Sequence, residues 1–123
     1  MKYLKVISKK TRADGEYGTL KENMVCLLDR SPLQGQSRET GIRFPIEEIT
    51  CFLPLITPPN IIALGLNYRE HAKESAMDVP TAPVVFLKAT SALTGHRQPI
   101  ALPAEAPSQV DYEAELTVVI GKI

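Results

Sequence analysis

Across 123 residues, fourteen Lys and Arg balance fourteen Asp and Glu, giving a formal net charge of zero. That balance excludes a nucleic-acid binder working by bulk positive charge, which shows a basic excess, and it excludes an acidic solvating tail. Hydrophobic residues at 44% and charged residues at 23% are those of a globular protein of one domain, or of one domain with a small appendage.

The start of the chain, Met1 to Lys10, alternates Lys with apolar residues and has no apolar block of the export type. The most apolar stretch, Cys51 to Leu66, is interrupted by prolines, so no membrane span is expected. Cys26 and Cys51 sit among apolar neighbours and are expected to be buried free thiols of a reducing cytoplasm. Eight of the ten prolines lie after position 53, which argues for short strands and rigid turns there rather than long helices. Charge divides at the same place. Nine basic and seven acidic groups precede position 54, and five basic and seven acidic groups follow. Pro58-Pro59 marks the boundary, because a residue before proline is driven out of helical conformation.

In chain order, Tyr3 to Ile7 reads as a strand and Ala13-Asp14-Gly15 as a turn. Tyr17 to Leu20 and Met24 to Leu28 read as two more strands around the turn Lys21-Glu22-Asn23. Arg30 to Arg43 is polar, contains Gly35 and Gly41, and reads as a loop. Apolar sequence resumes from Phe44 to Leu55. The whole of this first part is a small β-rich module without a catalytic cluster.

Asn60 to Leu66 then reads as a short buried strand. Asn67 is a favourable N-cap with Glu70 three positions on, which predicts a capping box and a short helix from Tyr68 to about Met77, ended by Asp78-Val79-Pro80. Val84 to Leu87 is a strand, Ala89 to Arg97 a Ser/Thr-rich connection, and Gln98 to Pro107 proline-punctuated. Val110 to Ile120 alternates most regularly and predicts the strongest strand of the chain.

That last strand carries the first chemical signal. Side chains alternate across a strand, so Asp111, Glu113, Glu115 and Thr117 share one face, opposite Tyr112, Ala114, Leu116, Val118 and Ile120. Glu113 and Glu115 are about 7 Å apart by strand rise, close enough for their carboxylates to meet on one hard cation such as Mg²⁺ or Ca²⁺. A solvated strand face accounts for the alternation equally well. The lack of a compensating Lys or Arg favours the ion, because like charges on one face repel.

The second signal is His71 with Glu74, three apart and on one helix face. A carboxylate beside an imidazole orients it and favours its protonated form, which suits proton transfer. An exposed helix with incidental polar contacts gives the same spacing. Lys88 follows an apolar strand, where a cation either binds a substrate carboxylate or is an ordinary surface lysine. His96, in a Gly/Arg-containing turn, receives no role. There is no zinc spacing, P-loop or dinucleotide fingerprint.

These pieces occur in a specific order. Ile62-Ala-Leu-Gly-Leu-Asn67-Tyr68-Arg-Glu-His71-Ala-Lys-Glu74 comes first. Pro83-Val-Val-Phe-Leu-Lys88, Pro99-Ile100 and Asp111-Tyr112-Glu113-Ala-Glu115-Leu116-Thr-Val-Val-Ile-Gly121 follow. The order resembles the front of the catalytic domain of the fumarylacetoacetate hydrolase family, over roughly residues 57–123. Residues 1–56 resemble the small N-terminal domain found in a bacterial-type branch of that family.

The resemblance implies an α+β, β-rich fold: a small N-terminal module (1–56), then the beginning of a mixed β-sandwich or roll (57–123). It implies a divalent metal, usually Mg²⁺ with Mn²⁺ or Ca²⁺ as alternatives, held by Glu113 and Glu115. His71 and Glu74 become the catalytic pair, Lys88 a substrate-binding residue, and Asp111 a structural one. The substrates implied are small oxo or dioxo acids, cleaved by hydrolysis of acylpyruvate-type C–C bonds, decarboxylated or isomerised. The family's third acidic metal ligand follows the paired glutamates by some tens of residues. The chain is therefore expected to be the front part of such an enzyme, working as a homodimer or completed by another chain, with a non-catalytic fragment or subunit as the alternative. No nucleic-acid or membrane partner is expected.

Overall fold

The structure, a computed structural model, describes residues 1–121. The chain forms two compact units. The first comprises Met1–Leu55 together with the residues from Thr94 onward, and the second comprises Ile56–Leu93.

The first unit is built on a five-stranded sheet of β1 (Lys2–Ser8), β2 (Glu16–Lys21), β3 (Met24–Leu28), β4 (Glu39–Pro45) and β5 (Ile49–Leu53). Its order is β4-β3-β2-β1-β5 and every neighbouring pair is antiparallel. Alternation explains the register. Val25 stands opposite Phe44 on one side and Leu20 on the other, Leu27 opposite Gly18, and Val6 opposite Phe52. These residues therefore share a face. Val6, Val25, Leu27 and Phe44 form its fully buried centre, with Leu4, Leu20, Ile49 and Phe52 packed around them. Each fully buried side chain of this size contributes roughly 1.5–3 kcal/mol, so this cluster is what holds the unit together.

The predicted turns are present. Glu22-Asn23 links the paired Lys21 and Met24, with Glu22 at φ +54°, as a two-residue hairpin loop requires at its first central position. Gly15 closes the β1–β2 connection at φ +79°, its N–H donating to the Arg12 carbonyl at 3.0 Å. A Cβ there would sit 2.6 Å from Leu53 Cδ1, so both the dihedral and the space call for glycine.

Two expectations about the secondary structure of this unit are corrected. The loop read across Arg30 to Arg43 ends early, because β4 already begins at Glu39. Only Phe44 of β4 is buried, so its side chains lack the alternation that reveals a strand. Main-chain pairing with β3 makes the strand instead, with a register shift between Cys26 and Leu28 where β4 carries Gly41 at φ +86°. The second correction concerns Val110 to Ile120, which forms no strand. Its apolar positions stand in solvent, with Tyr112 fully exposed and Leu116 and Ile120 nearly so. Alternation predicts a strand only where a ladder and a core receive it.

The connection after Thr94 packs on β5. The His96 ring meets Phe52 edge-on at 5.0 Å, and the Gln98 amide donates to Cys51 Sγ at 3.4 Å. Both cysteines are free thiols. Cys26 is buried and Cys51, contrary to expectation, is half-buried.

The second unit pairs β6 (Ile61–Gly65) with β7 (Val84–Lys88) as an antiparallel ladder running from Ile61↔Lys88 to Gly65↔Val84. Between them lies α1 (Arg69–Glu74). Both strands fall where the apolar runs predict. The burial expected of the first follows only in part, since Ala63 is buried while Ile62 and Leu64 are exposed; every residue of β7 is exposed. Among the described residues no helix is long and apolar enough to cross a membrane.

Candidate active site

α1 carries two of the predicted site residues, and its ends differ from expectation. The N-cap is Tyr68, not Asn67, in extended conformation and without a side-chain cap bond. Glu70 therefore sits at the second helical position, out of register for a capping box. It pairs instead with Lys73 at 2.8 Å on the solvent side, as an i,i+3 pair does.

The helix also stops earlier than the Asp78-Val79-Pro80 signal. Ser75 is the C-cap, and Ala76 follows at φ +52°. The Ala76 N–H donates to the Lys73 carbonyl at 3.0 Å and the Met77 N–H to the Ala72 carbonyl at 2.9 Å. This is the Schellman pattern, with alanine where glycine is usual. Ala72 is fully buried and anchors the helix. His71 and Glu74 lie three apart in α1, hence on one face, and both are exposed.

Lys88 ends β7 opposite Ile61. Its ammonium lies 5.8 Å from the centre of the Phe86 ring, two residues back on the same strand face. Among the described residues it makes no ion pair, so no carboxylate competes there with an incoming anion.

Glu113 and Glu115 belong to the first unit, in the exposed segment without secondary structure. Their carboxylates are donors of the kind a hard cation takes, but two do not enclose one. Among the described residues no three His, Cys, Asp or Glu side chains gather to hold a metal ion. Asp111 therefore does not complete a three-carboxylate group with them. The second unit thus contains the predicted proton-transfer pair and the substrate lysine, and the first contains the predicted metal donors.

The second unit also has a cleft that the sequence reading missed. It measures about 280 Å³ and is lined by the end of β6, Leu66, Asn67, Arg69 and the segment Val79–Val84. Leu66 is held there at φ +51°, a left-handed conformation that a bulky side chain rarely adopts. The signal was present in Pro80 and Pro83, which bracket a short rigid turn ahead of β7, but prolines announce a turn without saying what it faces.

Comparison with known proteins places the chain. The family model for the fumarylacetoacetate (FAA) hydrolase C-terminal domain matches residues 60–123, more than half of the sequence. The chain belongs to the fumarylacetoacetate hydrolase family. It is 36% identical over 109 residues to bovine (Bos taurus) mitochondrial oxaloacetate tautomerase FAHD2A, covering 85% of this chain and 34% of that protein. It is 44% identical over 82 residues to oxaloacetate tautomerase YisK of Bacillus subtilis, covering 64% of this chain and 27% of that protein. The solved structure of an uncharacterized protein from Mycobacterium abscessus superposes with a TM-score of 0.66 at 26% identity, over 85% of this chain and 39% of that one. The chain thus spans about a third or less of the curated relatives just named. The family resemblance read from the motif order is borne out, and so is the β-rich character of the fold.

Proposed function

We propose that this chain is the front part of a fumarylacetoacetate hydrolase-family enzyme acting on small oxo acids, with keto–enol isomerisation of an oxaloacetate-like substrate as its reaction. The observation that carries this is the position of the ordered motifs. Asn67 to Glu74, Pro83 to Lys88 and Asp111 to Gly121 all fall inside the segment matched by the family model, and the relatives above that carry an activity in their names are oxaloacetate tautomerases. Hydrolysis of acylpyruvate-type bonds and decarboxylation remain the family's other outcomes for the same enolate chemistry.

In this reading the proton moves within the substrate. His71 takes a proton from the carbon beside the oxo group, and the proton is returned to the oxo oxygen to give the enol. Glu74 holds the imidazole and offsets its charge while it is protonated. Lys88 holds a substrate carboxylate. Glu113 and Glu115 supply two donors for a divalent cation, Mg²⁺ first, with the remaining ligands coming from outside the described residues. Bound there, such an ion supplies Lewis-acid stabilisation of enolate charge.

The test is oxaloacetate enolisation, followed by enol absorbance with and without Mg²⁺, alongside Mn²⁺ binding by calorimetry. A Glu113→Ala, Glu115→Ala double variant is expected to lose both metal binding and metal-dependent rate. Unchanged turnover in it sinks the metal assignment. His71→Ala is expected to slow the reaction by about 10²–10⁴-fold, the usual contribution of a general acid–base group.

The exposed apolar side chains of β7, with Tyr112, Leu116 and Ile120, favour a second reading, in which the chain is a subunit that works only when joined to a partner. Its mass in solution decides: a well-folded monomer contradicts it.

A further inference from the structure

We infer that the cleft beside α1 is a binding site for the carboxylate of a small organic acid, with Arg69 as the recognising residue. The cleft lies wholly within the second unit. Arg69 is the sole charged residue among those lining it, and no carboxylate is among them. Among the described residues Arg69 makes no ion pair. A guanidinium left without a counter-charge at a concave, partly apolar wall favours a planar anion that can accept two parallel hydrogen bonds.

The neighbouring groups fit the same ligand. Asn67 and Thr81 also line the cleft, and each has a polar side chain able to donate to a carboxylate oxygen. Leu64, Leu66 and Val79 supply apolar wall for a short carbon chain. The volume, about 280 Å³, lies at the small end of ligand pockets and suits an acid of a few carbons rather than a nucleotide.

Two features indicate that the cleft is shaped in advance. Pro80 and Pro83 fix the backbone of the facing wall, which lowers the ordering cost of binding. Leu66 is kept at φ +51°, and backbone strain of this kind concentrates at ligand-holding positions.

Positions 69 and 71 are about 200° apart around a helix of 3.6 residues per turn, so the Arg69 side of α1 is not the side bearing His71 and Glu74. The inference therefore does not rest on the proton-transfer role of that pair.

The experiment is a ¹⁵N NMR titration of the 123-residue chain with succinate, in the presence of a chelator. Succinate carries carboxylates and no oxo group, so neither turnover nor metal binding enters. Saturable shifts are expected at the amides of Leu66, Asn67, Arg69 and Thr81. Arg69→Gln is expected to weaken binding by about tenfold or more, the scale of one lost charge-assisted contact. Arg69→Lys, which keeps the charge and loses the fork, falls between. Unshifted resonances of the β6–β7 ladder, which belongs to the same unit as the cleft, report that each variant is folded there. Absent shifts at the cleft, an Arg69→Gln variant binding as well as the parent, or equal binding of neutral succinamide each overturns the inference. None of these results touches the Glu113/Glu115 test, so the two ideas fail separately.

Discussion

Replacing Ala76 by glycine tests how the helix that bears His71 and Glu74 is terminated. Ala76 is the left-handed residue of the Schellman turn, at φ +52°, and its N–H and that of Met77 close the last turn onto Lys73 and Ala72. A side chain in this conformation costs about 1–2 kcal/mol through the clash of Cβ with the following carbonyl. Glycine removes the clash but loses about 0.5–1 kcal/mol more chain entropy on folding. The difference is a net stabilisation of about 0.5–1 kcal/mol, or a two- to fivefold change in the local opening equilibrium, since RT is about 0.6 kcal/mol. Valine has the opposite sign, because β-branching makes the left-handed region still less accessible. The assay is amide hydrogen exchange at Ser75, Ala76 and Met77, whose N–H groups all donate back into α1. Protection is expected to rise in Ala76→Gly and fall in Ala76→Val. Equal protection in all three proteins would refute a left-handed residue at this position. It would also remove the reason for ending the helix at Glu74, and with it the fixed placement of Glu74 relative to His71.

Two further outcomes concern the first unit. Gly95→Ala would put a Cβ 2.1 Å from the carbonyl oxygen of Phe52, which forces backbone to move; a loss of about 1–3 kcal/mol is expected from such overpacking, read as a lower urea midpoint by far-ultraviolet circular dichroism. The acid limb of stability is expected to depend on Glu39 and Asp29. Glu39 is held below its ordinary carboxyl range by the hydrogen bond from Lys21, with Arg43 assisting, and Asp29 by the backbone N–H of Arg38. A depressed folded value means their contribution is present above the unfolded carboxyl value, about 4, and is lost as pH falls through the folded value. Glu39→Gln is expected to flatten the decline of the urea midpoint below about pH 5, and added salt to weaken the effect in the parent; a decline as steep as in the parent refutes it.

How much of this was legible in the sequence depended on what each residue has to signal. Strands β1 and β3 could be read because short apolar runs fill them: Leu4, Val6 and Ile7 in β1, and four consecutive buried residues, Val25 to Leu28, in β3. β4 could not, because an edge strand held by main-chain hydrogen bonds leaves its side chains free to be Glu39, Thr40 and Arg43. The helix was legible as a helix, but its ends were not. Asn67 and Glu70 have the right chemistry for a capping box, yet helical conformation begins only at Arg69, and one residue of offset dissolves the reciprocal bonds. His96 carried no readable role because its partner, Phe52, is distant in sequence, and edge-on ring packing leaves no local pattern.

The candidate site shows the same limit in sharper form. Residue order along the chain was enough to find the family, because the motifs holding His71, Glu74, Lys88, Glu113 and Glu115 lie in order inside the segment its model matches. Order does not supply enclosure. His71 and Glu74 are fixed relative to each other by three residues of helix, and Lys88 by the ladder that sets it opposite Ile61. Glu113 and Glu115 have only alternation to relate them, and alternation becomes geometry when a neighbouring strand fixes the backbone. With no strand over residues 110–121, no ladder sets the spacing of the two carboxylates, and drawing both onto one cation must also order the backbone between them. Divalent-ion binding by this chain alone is therefore expected to be weak and to strengthen when the segment is paired as a strand. Calorimetry with Mn²⁺ on the isolated chain decides the matter: tight binding there, abolished in the Glu113→Ala, Glu115→Ala variant, would show that the two carboxylates suffice without a ladder and that strand pairing is not what builds the metal site.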